Sequence, residues 1–444
     1  MTGSPRVICS IGAGAGFAGD RIDPAVALAA SGVVDTVALE CLAERTLVPA
    51  IKARAENPEA GADPRLRRRL TPLLPAAAAT GCRIISNLGA ANPRAAGAAI
   101  ARLASELGLP GTRVAAIEGD DVMHLAEQVQ WVRPVQGRLI GAHAYLGSAP
   151  IAQALAAGAA VVVTGRVADS ALFAAAARDR LDPGEAALAG AVAVGHLLEC
   201  SGQLTGGNYD AAGRALCGGG LSAADYARLG YPLAHVYADG SAEITVLAGA
   251  PAHLDPVTCT LQLLYEVHDP SRYATPDLVL DFSGIRFEAL GHNRVRMHGA
   301  RSLGPPPTLK VAGFVELPGY IADCEIGFAG TGAHLRAARA AETLRLRLAD
   351  WAADDLAIDL VGIDSVLRAG SLRGGIPAEL RVHVSARCAD AEMAQIVEDE
   401  IYALTLSGPA GGCSVRSERR NRIEVLDGFI DPALVHTEIL WSRS

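Results

Sequence analysis

Apolar, strand-like runs alternate with alanine-rich helical segments through the first 210 residues, and nearly every run ends in a short polar signature. The runs are RVICSIG at 6–12, then VDTVALEC, CRIISN, RVAAIEG, RLIGAHAY and AVVVTGR. Between them lie DPAVALAA, LVPAIKARA, NPRAAGAAIARLASELG, VMHLAEQVQ, APIAQALAAGA and SALFAAAARDRL. Strands separated by helices must cross over, which makes the sheet mainly parallel. The signatures GAGAGFAGDR, ECLAERT, SNLGAANP, IEGDD, GAHAYLG, VTGRVADS and ECSGQLTGGNYD then fall at carboxyl ends of strands, where parallel α/β folds build their sites. An enzyme is the expectation. Six βα units by residue 180 predict an open, Rossmann-like sheet; one or two more would permit a barrel. Asp23-Pro24 and Asn92-Pro93 read as a capping side chain before a proline at the first helical position.

With 444 residues the chain is expected to form two domains, 1–215 as the α/β domain and 216–444 as a mixed α+β domain. The stretch CGGGLSAADYARLGYP from 217 reads as a hinge, and Asp239-Gly240 as the turn of a hairpin. Further strands are expected at VTCTLQLLYEV, LVLDFSGIRFEAL and NRVRMHGA, and GPPPTLKV at 304–311 as a rigid connector. A long helix over about 332–355, the strand AIDLVGID and a strand–helix–strand run from LRVHVSAR past EMAQIVEDEIYALTL complete the chain. Net charge is −9 and the densest basic run, RLRRRL at 65–70, reads as a solvated helix face, which argues against nucleic acid as a partner. Nine cysteines without a C-x-x-C pair point to a reducing compartment. The N-terminus lacks a signal-peptide plan, and apolar stretches such as AALAGAVAVGHLL fall short of the roughly 20 residues of a membrane helix. A cytoplasmic protein without a membrane partner is expected.

Candidate site residues follow from the signatures. Gly14, Gly16 and Gly19 with Glu40 match the spacing of a dinucleotide fingerprint, although the helix starts only after Asp23. Glu40 suits general acid–base work, and Cys41 would be a nucleophile if a cation lowered its pKa. Glu118, Asp120 and Asp121 could hold a divalent cation, or the aspartates could simply cap the next segment. His143 and Tyr145 share one face of a strand. Arg166 could clamp a carboxylate or phosphate, or pair structurally with Asp169. Gln203, Thr205, Gly206, Gly207 and Asn208 suit an anion nest, and Asn87 suits substrate orientation. H-E-x-x-H, P-loop and G-x-S-x-G motifs are absent.

The strings GAGFAGDRIDPAVALAASG, ECLAERT, SNLGAANP, GAHAYLGSAPIAQALAAGAAVVVTGRVADSAL, ECSGQLTGGNY, QLLYEVHDPSRYATPDLVLDFSGI and GPAGG resemble the acyclic terpene utilisation (AtuA) family over roughly residues 8–415. The chain departs from the family pattern at GAPAHLDPVTCT, where a Gly-Thr-Gly-Gly stretch is usual, at Asn293, where Asp is usual, and at Cys413, which interrupts a glycine run. The resemblance implies catabolism of branched acyl chains such as citronellol. Longer relatives also carry a small ferredoxin-fold domain at the C-terminus, which implies here either a separate small subunit that supplies it or a drift in substrate. A lyase or isomerase, by hydration or dehydration of a branched carboxylic acid or acyl-CoA, is the leading expectation. Glu40 or Glu118 would move the proton, and Arg166, Asp169 and His143 would complete the site. The alternatives are a nucleotide-dependent enzyme and a non-catalytic acyl-binding subunit. The cofactor is left open between none and a divalent cation, and a homo-oligomer is expected.

Overall fold

The computed structural model describes residues 6–209, 220–351, 355–366, 375 and 377–444. Gly218 and Gly219 of the expected hinge, Asp210 and the boundary expected at 215/216 lie outside them. By its packing the chain divides into one unit of Met1–Arg133, Ile140–Gly313 and Leu426–Ser444, and a second of Pro134–Leu139 and Phe314–Val425. That partition differs from a division at 215, because strands Pro232–Tyr237 and Ala242–Val246 extend the first sheet.

The first unit is built on an open ten-stranded sheet among the described residues. Its order is Arg286–Gly291, Arg294–His298, Ala242–Val246, Pro232–Tyr237, Val7–Ala15, Thr36–Leu39, Arg83–Ser86, Val161–Thr164, Arg113–Glu118, Glu438–Arg443. The five strands from Val7–Ala15 to Arg113–Glu118 are parallel. Antiparallel strands flank them on both sides. The hairpin expected at Asp239-Gly240 is present, with Gly240 at φ +82°.

Alternation within the strands sorts the core into two layers. Cys9, Ile11, Ile85, Val162, Ala115 and Ile117 pack with helices Ala149–Ala156, Asp169–Arg178 and Glu185–Leu198. Val37, Leu39, Ile84, Val161, Val163 and Ala116 pack with helices Asp23–Ala30, Leu66–Thr80 and Pro93–Glu106. Helices that follow the first three strands thus cover one face, and those that follow the later strands cover the other. The change of face falls between Arg83–Ser86 and Val161–Thr164, which are neighbours. Their outgoing loops part there and leave a crevice at the carboxyl ends.

Several local expectations change. RLIGAHAY forms a strand, Arg138–Ala144, but outside this sheet: it pairs with Leu309–Ala329 and is tied by Val122 N–H to Ala142 O and Ala144 N–H to Asp120 O. VTCTLQLLYEV is a helix, Pro256–Leu263, because Asp255 accepts from the Val257 and Thr258 amides and Pro256 starts the first turn. VMHLAEQVQ contains only a 3-10 helix, Met123–Gln128. Asn92 caps its helix by accepting from Ala95 N–H, whereas Asp23 pairs with Arg21 instead.

The second unit runs strand, helix Ala333–Arg347, strand Leu356–Val361, strand Glu379–Cys388, helix Ala391–Ser407, strand. The first and last of these strands are the parts of Leu309–Ala329 and Cys413–Ile430 that lie within Phe314–Val425. Numbered within the unit, the sheet order is second, third, first, fourth, and the third strand runs antiparallel to both the first and the second. This is the split βαβ of ferredoxin-like folds. A ferredoxin-like unit is therefore built into residues 314–425 of this chain.

Gly89 lies at the crevice, where a Cβ would stand 2.4 Å from Thr164 O and 2.9 Å from Pro93 Cα. Both obstacles are backbone, so Gly89→Ala must push the two strand ends apart. The expected loss is about 1–3 kcal/mol, read as a lower urea midpoint at unchanged slope.

Candidate functional site

Glu40 follows the strand Thr36–Leu39 and is buried. Its Oε1 accepts from Leu42 N–H (2.7 Å) and from Asn87 Nδ2 (3.0 Å), and Asn87 Oδ1 accepts from Cys41 N–H (2.7 Å). Asn87, fully buried after Arg83–Ser86, thus locks the Glu40 loop to its neighbour. Burial, with the Asp169 carboxylate adding to it, outweighs the nearby Arg166 charge and pushes the Glu40 carboxyl up to about 8. At neutral pH it keeps its proton. Cys41 is enclosed as well, and burial raises its thiol far from the thiolate range, so a Cys41 nucleophile has no support.

Arg166 sits across the crevice, also buried. Its Nε and Nη2 donate to Val167 O (2.9 and 2.7 Å), Nη1 donates to Leu42 O (2.5 Å), and Nη2 also meets Asp169. All three nitrogens already serve protein acceptors, which favours the structural Arg166–Asp169 pairing over a substrate clamp. The guanidinium lies over the Tyr145 ring at 4.6 Å, and Tyr145 donates to Glu44 Oε1 at 2.6 Å. Enclosure raises the Glu44 carboxyl, but the Tyr145 hydroxyl and the Arg166 charge bring it below its ordinary value. Asp169 shifts the other way: enclosure and the Glu44 charge outweigh Arg166 and raise it.

Asp120 is a bracket for the same loops. Its Oδ2 contacts His143 Nδ1 (2.8 Å) and accepts from Arg166 N–H (2.9 Å), and a Cβ on Gly165 would stand 2.4 Å from it. His143 is buried against this carboxylate. Glu118 lies apart from Glu40. It pairs with Arg94 at 2.9 Å and lines a depression of about 560 Å³ with Arg54, Asp120, Asp121 and His124. Asp121 is paired with Arg54 at 3.1 Å. Among the described residues no three His, Cys, Asp or Glu side chains are arranged to hold a metal ion.

The glycine loop departs from a dinucleotide fingerprint. Gly14 lies inside the strand Val7–Ala15, where a Cβ would meet Val37 and Leu39 of the next strand and Ala25 of helix Asp23–Ala30, so it serves close packing of these elements. A Cβ on Gly16 would meet the Cys200 backbone at 2.6 Å, and the Gly16 amide donates to Asp20. The carbonyls of Phe17, Ala18, Asp20 and Arg21 converge on the buried Arg69. The loop is thus wired to protein partners.

Much the same holds from 201 to 208. The amides of Thr205, Gly206 and Gly207 donate to the carbonyls of Gly202 and Gln203, and Thr205 Oγ1 donates to Gly230 O at 2.7 Å. These N–H groups close turns, which weakens the anion-nest reading. Gln203 is half-buried and Asn208 is exposed at φ +56°.

Sequence reasoning passed over Glu199 and His196. His196 Nδ1 lies 2.9 Å from Glu199 Oε1, and His196 also packs against Tyr273 and Phe282. Burial, with Asp169 and Glu266 nearby, raises the Glu199 carboxyl despite His196. The available signal was an i,i+3 His–Glu pair closing a helix that is otherwise apolar. The geometry therefore brings Glu40, Asn87, Arg166, Asp169 and Tyr145 together and leaves Glu118 elsewhere.

No curated protein and no solved structure matches the chain. The family of acyclic terpene utilisation proteins, AtuA, matches over residues 9–441, which takes in every strand-end loop described above. The chain belongs to the acyclic terpene utilisation family.

Proposed function

We propose that this protein is an acid–base enzyme, a hydratase-type lyase or isomerase, acting on a branched carboxylic acid or acyl-CoA. The observation that carries the reading is Glu40, a carboxyl held protonated at neutral pH at the crevice of the parallel sheet. A buried carboxylic acid of this kind can donate a hydrogen bond or a proton to a developing enolate. Arg166, fixed by protein acceptors, acts in this reading as a positive charge beside Glu40 and Asp169 rather than as a ligand clamp. Asn87 orients Glu40 through Oε1. Membership of a family named for acyclic terpene utilisation supports branched acyl substrates in this reading.

The test uses 3-methylbut-2-enoyl-CoA with the full chain, followed by loss of the conjugated thioester absorbance and a product heavier by one water. Glu40→Gln should lower kcat by about 10²–10⁴-fold while leaving the unfolding midpoint at pH 5 close to wild type. Full turnover by Glu40→Gln would remove Glu40 from the chemistry, and an inactive wild type would count against the substrate class.

Stability supplies an independent check. The unfolded chain releases this proton near the ordinary carboxyl value of 4.5, whereas the folded chain keeps it until about 8. Stability is therefore largest below the lower value and declines as pH rises through the upper one. Urea midpoints measured from pH 5 to pH 8.5 should fall for wild type, and Glu40→Gln should flatten that slope.

A further inference from the structure

The end of helix Glu185–Leu198 holds polar groups that Glu40 and Arg166 do not account for. His196 is buried, and its Nε2 lies 3.1 Å from Leu263 O, which can only accept. Nε2 must therefore carry a hydrogen. The other ring nitrogen, Nδ1, is 2.9 Å from Glu199 Oε1, a contact that also needs a hydrogen. The pair then holds one proton more than a neutral imidazole and a carboxylate would. Either the ring is an imidazolium, or Glu199 is a carboxylic acid. The electrostatics agree in direction. Burial alone would lower His196, but the Glu199 carboxylate outweighs it and raises the ring.

A second observation lies beside this pair. Ser201 Oγ and Gln262 Oε1 are buried and have no hydrogen-bond partner among the described residues. Gln262 belongs to the same cluster, since its Nε2 donates to His196 O at 3.4 Å and its side chain bonds Cys200. Ser201 has φ +51°, a conformation that costs a non-glycine residue energy and collects at functional sites. Buried polar atoms call for partners. An acceptor amide oxygen and a hydroxyl beside an acid suit a small group that both donates and accepts.

We infer that His196 and Glu199 share the extra proton and form a second proton-holding unit of the proposed site, with Ser201 Oγ and Gln262 Oε1 as the holders of a hydroxyl group or water molecule. The inference rests on the acid–base reading above for its role. A hydration needs a held water and a second group to exchange its proton, and this unit supplies both chemistries. The groups facing Glu199 are His196, Cys200, Asp169 and Glu266, and Tyr273 lies against the His196 ring.

The experiment is nitrogen NMR of the full chain with ring-labelled histidine, together with a crystal structure of the same chain. At pH 7 both His196 ring nitrogens should be protonated, or Nε2 alone with Glu199 as a carboxylic acid by labelled-carboxyl NMR. Glu199→Gln should abolish the shared-proton signal and Glu199→Asp should restore it. The crystal structure should show a water on Gln262 Oε1 or Ser201 Oγ. A neutral ring with its hydrogen on Nδ1, indifferent to Glu199→Gln, would overturn the proton-holding unit, and protein groups filling Ser201 Oγ and Gln262 Oε1 would overturn the subsite. Neither readout needs turnover, so failure with 3-methylbut-2-enoyl-CoA would fall on the proposed activity and not on this pair.

Discussion

The site depends on one buried guanidinium. Arg166 stands after Val161–Thr164, and its Nη1 reaches Leu42 O in the loop after Thr36–Leu39. Its backbone amide is taken by Asp120 from the loop after Arg113–Glu118, and its flat face lies on Tyr145 after Arg138–Ala144. Four loops from separate strands therefore converge on one residue. A buried charge without these partners would be prohibitively costly, so the loops and the arginine specify each other. Lysine could supply the charge but not the planar fork that reaches Leu42 O and Val167 O together.

A single fixed cation among several enclosed acids has an electrostatic consequence. Arg166 favours ionisation of Glu40, Asp169 and Glu44, yet only Glu44 ends below its ordinary range, because Tyr145 donates to it directly. Glu40 and Asp169 lose more hydration than Arg166 returns, and each discourages the other's charge. The Glu40 proton is thus retained at neutral pH while Glu44 stays ionised. Pairs of carboxyl groups driven apart in this way are the usual basis for assigning acid and base roles.

Much of the architecture was legible because it depends on short-range pattern. Buried runs such as VVVT and capped segments such as Asn92-Pro93 announce strands and helices without reference to the rest of the chain. Errors arose where tertiary partners decide. VTCTLQLLYEV alternates like a strand, yet Asp255 and Pro256 nucleate a helix there. RLIGAHAY has the composition of a central strand, but hydrogen bonds to Asp120 and Val122 hold it outside the sheet. The glycines of GAGAGFAGDR matched a ligand fingerprint by spacing, and only the positions of Leu39, Cys200 and Asp20 show them spent on packing and on the loop itself.

The sequence by itself determined the α/β class, a run of parallel strands and the family, because periodicity and long ordered motifs are local properties. It also marked Glu40, Asn87, Arg166 and Asp169 as strand-end residues. Which of them meet was decided by tertiary structure. The strand order places Val161–Thr164 between Arg83–Ser86 and Arg113–Glu118 and so brings Arg166 to Glu40 while leaving Glu118 with Arg94. The protonation of Glu40 was decided there as well, since a carboxyl's affinity for its proton depends on lost hydration and neighbouring charge, and neither exists until the loops converge.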